Sequence, residues 1–243
     1  MKKIIFNKIK FINIKKKDFN NIIKQKGLFV FPSGPGLATI NKEFKYLESL
    51  RNSDFVFFDS GYLIILLRIL KKISVNKFSG YFFLKLLFDS LKKKNNFKIL
   101  SVDPNNTLSK KNRNFFLSLG IDKNKLFNYT SPIYNPLKIK DKKLLKIANN
   151  KKPDYVIINL AGGVQEILGY YLKKNLNMKT KIICTGAAIS FFTKDQAPIN
   201  RIIDKFFLGW LTRIIFNPRI YLPRYLKAFK LFKIVFMEKI VIK

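Results

Sequence analysis

The stretch "DYVIINLAGGVQEILGYYLKKN", Asp154–Asn175, decides the fold. It opens with an unbroken apolar run and turns on two glycines. It then continues with Val164, Ile167, Leu168, Tyr171 and Leu172 at three- and four-residue spacing. That is a strand buried on both faces, a tight turn and an amphipathic helix. A strand without polar alternation needs helices on both sides of its sheet, which is the situation of a parallel sheet. The same phrase recurs along the chain. "GLFVF" (Gly27–Phe31) ends at the breaker-rich "PSGPG", and "DFVFFD" (Asp54–Asp59) leads into the helix "GYLIILLRILKK". "FKILSVD" (Phe97–Asp103) leads to "KNRNFFLSLG", with Gly120 as its C-cap, and "KIICTGAA" supplies a last strand. "INKEFKYLESLRNS" and "FFLKLLFDSLKKK" read as further helices. The pattern predicts an α/β protein, a Rossmann-like parallel sheet with helices on both faces.

After about Asp195 no further strand of this type is evident. "INRIIDKFFLGWLTRIIF" and "RYLKAFKLFKIVF" read as helices separated by a break at "NPRIYLP". The expected division is a catalytic domain over residues 1–195 and a C-terminal helical, membrane-associating appendage over residues 196–243. In the last helix Tyr225, Phe229, Phe232 and Phe236 form one stripe, with Lys227, Lys230 and Lys233 away from it. Such a helix either lies on an anionic bilayer or packs its aromatics on the domain, and periodicity does not choose between the two.

Composition narrows the chemistry. The 243 residues carry a net charge of +34, which suggests anionic partners: nucleic acid, anionic lipid or phosphorylated ligands. Abundant Lys, Asn, Ile and Phe also fit AT-rich coding, so most lysines are read as solvated surface. Only seven residues are Arg, and three of them, Arg213, Arg219 and Arg224, fall within "GWLTRIIFNPRIYLPRY" (Gly209–Tyr225). Guanidinium groups bind phosphate through two parallel hydrogen bonds, which lysine does not reproduce. The chain has no His, so His-based triads, relays and metal sites are excluded, and its one Cys, Cys184, allows no internal disulfide. No secretory signal or spanning helix is expected, and the predicted state is soluble or lying on a membrane.

In parallel α/β sheets, ligands bind beyond the carboxyl ends of the strands. Those ends are "PSGPG", "DSG", "DPNN", "AGGVQE" and "TGAA". Asp59 in "DSG" is either a helix N-cap or, in a chain without His, the leading general base. Gly162 and Gly163 allow close backbone approach to a ligand. Gln165 and Glu166 sit in the next helical turn, where Glu also favours the helix dipole. "TGAA" suits close approach to a nucleotide or sugar, and equally dense packing. No P-loop, G-x-S-x-G, metal cluster or D-x-D motif is present, so arginine is the natural partner for a leaving diphosphate.

In order and spacing these motifs resemble the WecG/TagA/CpsF glycosyltransferases (glycosyltransferase family twenty-six), from about Phe31 to Leu231. The matching segments are "FVFFDSGYLIILLRIL", "AGGVQEILGYYLKKN", "GAAISFFTKDQAP", "GWLTR", "NPR" and "PRY". Departures are Ser60 before Gly61, "GVQE" for Pro-Lys-Gln-Glu, Gln196 for an Arg, and Gly209 and Asn217 for two glutamates. The resemblance implies inverting, metal-independent transfer without a cofactor. The sugar, often of N-acetylmannosamine type, passes from a UDP-sugar to a polyprenyl-diphosphate-linked sugar in cell-surface polysaccharide biosynthesis. It places the enzyme on the cytoplasmic face of the membrane, with an anionic membrane surface as partner, no nucleic acid, and self-association left open. Asp59 matches the base. Ser33, Gly61, Gly162, Gly163, Gln165, Glu166, Gly186, Arg213, Arg219 and Arg224 make up the expected substrate-binding set. The rival readings are a basic nucleic-acid-binding protein and an inactive scaffold of a polysaccharide complex.

Overall fold

Alternate residues of β3 (Gly27–Val30) enter different cores, and the molecule is built outward from that fact. Leu28 and Val30 face one hydrophobic layer, while Phe29 and the following Phe31 face the other. The computed structural model describes residues 2–92, 96–195, 211, 214–215 and 217–243.

The strands are β1 (Lys2–Phe6), β2 (Ile9–Asn13), β3, β4 (Phe55–Phe57), β5 (Ile99–Asp103), β6 (Leu126–Thr130), β7 (Tyr155–Ile158), β8 (Lys181–Cys184) and β9 (Val241–Ile242). They form one sheet in the order β6-β5-β7-β8-β3-β4-β2-β1-β9. From β6 to β2 every pairing is parallel, and β1 is antiparallel to both its neighbours. The helices are α1 (Phe19–Ile22), α2 (Gly34–Thr39), α3 (Phe44–Arg51), α4 (Gly61–Lys71), α5 (Gly80–Leu91), α6 (Asn106–Ser118), α7 (Lys142–Lys151), α8 (Val164–Asn175), α9 (Pro218–Ala228) and α10 (Lys230–Met237). One face of the sheet packs α2, α3, α4, α7, α8 and α10, and the other packs α1, α5 and α6. This is the expected Rossmann-like α/β class. Stacked phenylalanines tie neighbouring strands on the second face, with Phe31 and Phe57 at 4.5 Å between centroids and 4° between planes.

Several elements differ from expectation. Residues 2–13 form a β-hairpin whose turn residues Asn7 and Lys8 are both left-handed (φ 51° and 61°). "PSGPG" is the start of a short helix, with Pro35 in its first turn. The "NPRIYLP" segment is not a break: α9 begins at Pro218 and runs through Pro223. The aromatic helix is divided near Phe229. It turns Ala228, Leu231 and Val235 inward and leaves Phe229, Phe232 and Phe236 exposed (64%, 47% and 64%). α9 packs against α2, α10 packs against α2 and α4, and β9 returns to pair with β1.

Candidate functional site

Four loops leave the carboxyl ends of β3, β4, β7 and β8 and meet at one corner. After β3, Ser33 takes an extended conformation and its Oγ accepts from the Gly36 N–H at 3.4 Å, opening α2. After β4, Ser60 rather than Asp59 caps α4, accepting from the Leu63 N–H at 3.2 Å. Capping of α4 is therefore not the role of Asp59. Its carboxylate Oδ1 accepts instead from the Gly80 N–H at 3.0 Å, at the start of α5, and the residue stays half-buried beside Gly61.

The loops after β7 and β8 are joined through two side chains. Gly163 is left-handed (φ 89°), and its N–H donates to Glu166 Oε2 at 2.7 Å. Gln165 Nε2 donates to Glu166 Oε1 at 3.0 Å, and Gln165 Oε1 accepts from the Gly186 N–H at 2.6 Å. Gly186 is also left-handed (φ 61°), a conformation a side chain would strain. Gln165 and Glu166 are thus buried and hold the loops in place. Burial, with the Asp59 charge adding to it, pushes Glu166 up to about 7, against the N–H donors that favour its ionised form.

Missing side chains bring the loops together. A Cβ at Gly34 would lie 2.9 Å from Ser60 Oγ, and one at Gly36 3.0 Å from the Tyr46 hydroxyl. A Cβ at Gly162 would lie 4.0 Å from Ser33 Oγ, and one at Gly163 3.7 Å from Glu43 Oε2. At Gly80 the neighbour is Thr185, whose buried hydroxyl has no partner among the described residues.

Asp59, Ser33, Gly61, Gly162, Gly163, Gln165, Glu166 and Gly186 therefore share one corner. Arg219 and Arg224 lie exposed on α9, the helix packed against α2. Arg213, with Arg201, Gln196 and Gly209, lies outside the described residues. Tyr46 and Glu43 lie in no motif, whereas Thr185 opens the "TGAA" turn. Tyr46 in particular is indistinguishable in sequence from a core residue of α3. The rival carboxylate at a strand end, Asp103, is fully buried. It accepts from Ser101 Oγ (2.9 Å), Asn112 Nδ2 (2.7 Å), Asn159 Nδ2 (2.8 Å) and Asn128 Nδ2 (3.3 Å). It ties β5, β6, β7 and α6 together and is closed to a substrate. Among the described residues no group of three or more Cys, Asp or Glu is arranged to hold a metal.

A mostly parallel sheet with a half-buried carboxylate among glycine-rich loops at its carboxyl edge defines a Rossmann-like α/β protein. The profile of the Glycosyl transferase WecG/TagA/CpsF family matches residues 5–243, and the chain belongs to that family. No curated protein matches it. The chain is accordingly a glycosyltransferase of cell-surface polysaccharide biosynthesis, a family working with a sugar donor and a lipid-linked acceptor.

Proposed function

We propose that the chain is an inverting, metal-independent glycosyltransferase. It moves a sugar, of N-acetylmannosamine type, from a UDP-sugar to a polyprenyl-diphosphate-linked sugar at the inner surface of the cytoplasmic membrane. One observation carries this reading: Asp59 does not cap α4, the helix it precedes, and sits half-buried where four strand-end loops converge. In the reaction the acceptor hydroxyl gives its proton to the Asp59 carboxylate as its oxygen bonds the anomeric carbon. The bond from that carbon to UDP breaks on the opposite side, and UDP leaves with the electron pair. Arg213, Arg219 and Arg224 would take up the charge of the diphosphate. The packing of α9 on α2 supports this, because α2 begins next to Ser33 in the same corner. In this reading residues 1–195 carry the chemistry and residues 196–243 the membrane contact. Among the described residues no helix is long and apolar enough to cross a membrane. The exposed Phe229, Phe232 and Phe236, with Lys230 and Lys233 beside them, suit an interfacial helix.

Asp59→Asn tests the reading. Asparagine still offers an oxygen to the Gly80 N–H, so the fold should persist while sugar transfer from the UDP-sugar is lost by at least about a hundredfold. Undiminished transfer would remove the proposed base. A thermal-shift screen of UDP-sugars without added metal identifies the donor by the one that raises the melting temperature.

A further inference from the structure

A groove of about 580 Å³ runs between the end of α2 and the start of α10, a volume in the range of small-ligand sites. Ala38 and Lys42 stand on one wall, and Phe229, Lys230, Lys233 and Ile234 on the other. The two flanks of α10 differ. Toward α4 the helix is fastened: Lys71 Nζ donates to the Phe236 carbonyl at 3.0 Å, and the Tyr62 and Phe229 rings meet edge-on at 5.9 Å. Toward α2, next to the buried Leu231 and Val235, the groove stays open.

The lining has two parts. Ala38, Phe229 and Ile234 are apolar, and Lys42, Lys230 and Lys233 are exposed amines. Among the described residues none of these amines pairs with a carboxylate, and no Asp or Glu lines the groove. Glu43, next to Lys42, is turned elsewhere: Oε1 accepts from Thr39 Oγ1 at 2.6 Å, and Oε2 faces Gly163. Three uncompensated amines beside an apolar trough match an anion that carries a hydrocarbon chain. A nucleotide fits poorly, because its base and ribose need polar partners. The other lining residues are Thr39, whose hydroxyl is given to Glu43, and Asn41, whose Oδ1 accepts from Asn7 Nδ2 at 2.6 Å. Position selects the kind of chain. By the helical period, Lys230 and Lys233 fall between the buried seam of Leu231 and Val235 and the outward Phe232 and Phe236. With those two rings in the interface of a bilayer, the groove opens at the level of the lipid headgroups.

We propose that this groove seats one anionic phospholipid molecule, its acyl chain along Ala38, Phe229 and Ile234 and its phosphate on Lys42, Lys230 and Lys233. The seated lipid fills the gap between α2 and α10 and so holds the tail against the domain. This rests on the reading of the tail as the membrane contact, and it turns that contact into a one-to-one site selective for headgroup charge. It does not depend on Asp59.

The test uses the full chain and dioctanoyl phosphatidylglycerol below its micellar concentration, with binding followed by titration calorimetry. One molecule should bind per chain, and dioctanoyl phosphatidylcholine should bind at least about tenfold more weakly. Lys42→Gln with Lys233→Gln should weaken phosphatidylglycerol about tenfold and leave the melting temperature of the free protein unchanged, since both residues are exposed. Lys16→Gln with Lys17→Gln, which precede α1 on the opposite face of the sheet, should leave binding unchanged. Absent binding, equal binding of the two lipids, or equal loss in both lysine pairs overturns the site. Inorganic phosphate that competes at the same concentration reduces it to an anion site. Farnesyl diphosphate that displaces the lipid at lower concentration gives the groove to an isoprenoid instead. Sedimentation with phosphatidylglycerol vesicles separates this from the membrane reading. Sedimentation that persists while the soluble lipid fails to bind removes the groove site and leaves the membrane contact. One-to-one lipid binding without sedimentation does the reverse.

Discussion

Glu166 shows how one side chain links stability to the order of the site. Its pKa, raised to about 7 in the fold, lies above the ordinary 4.5 of a glutamate. The folded chain therefore binds more protons than the unfolded chain between those values. The stabilisation is complete at low pH and is lost as pH rises from about 4.5 through about 7, by an amount on the order of 3 kcal/mol. Urea midpoints measured from pH 5 to 8 should fall in the unaltered protein, and Glu166→Gln should flatten that decline. The amide oxygen of the variant can still accept from the Gly163 N–H, so the loop should survive the change. At this scale much was legible in advance. Asp59 stood out because it follows an apolar strand in a chain without His. Tyr46 did not, because an aromatic on the inner face of a helix says nothing about where its oxygen ends. The capping role of Ser60 needed coordinates too, since Asp and Ser are both good caps and stand side by side.

At the level of elements, α8 is the piece that sets loop against sheet, and it comes unusually close. A Cβ at Gly169 would lie 2.7 Å from Leu28 Cδ1 and 2.8 Å from Cys184 Sγ. Gly169→Ala should therefore cost about 1–3 kcal/mol through overpacking, despite alanine's better helix propensity, as read from urea denaturation. If the variant is more stable than the parent, that contact is softer than the distances indicate. The buried parallel strands were readable because burial on both faces leaves a plain apolar run. The β1–β2 hairpin was missed because lysine interrupts its apolar residues, although Ile4 and Phe6 of β1 and Ile9 and Phe11 of β2 face one core. The edge strand β6 was missed for a related reason: Asn128 breaks its apolar run, and only Leu126 and Tyr129 are buried. Proline misled at α9, where Pro218 opens the helix instead of preventing it.

Across the whole molecule, the tail presents two unlike faces. Leu231 and Val235 are fully buried against the domain, so Leu231→Ala should lower stability by about 2–5 kcal/mol. Phe232 and Phe236 point outward, and Phe232→Ser with Phe236→Ser should leave the melting temperature unchanged. The same pair should weaken sedimentation with anionic phospholipid vesicles about tenfold or more. Equal binding by the double variant would mean that lysine charge alone holds the protein to lipid. The strand order carries a different consequence. β3 finds one neighbour, β4, within about thirty residues, but its other edge is matched only by β8, from Lys181 onward. The seam between these two strands joins β1–β4 to β5–β8, and it closes a very long loop of chain. Until it closes, the Leu28–Val30 edge is an open apolar template for strangers. The corner where the four loops meet cannot exist either, because those loops come from opposite sides of that seam. Slow closure and late appearance of ligand binding should thus be one kinetic event.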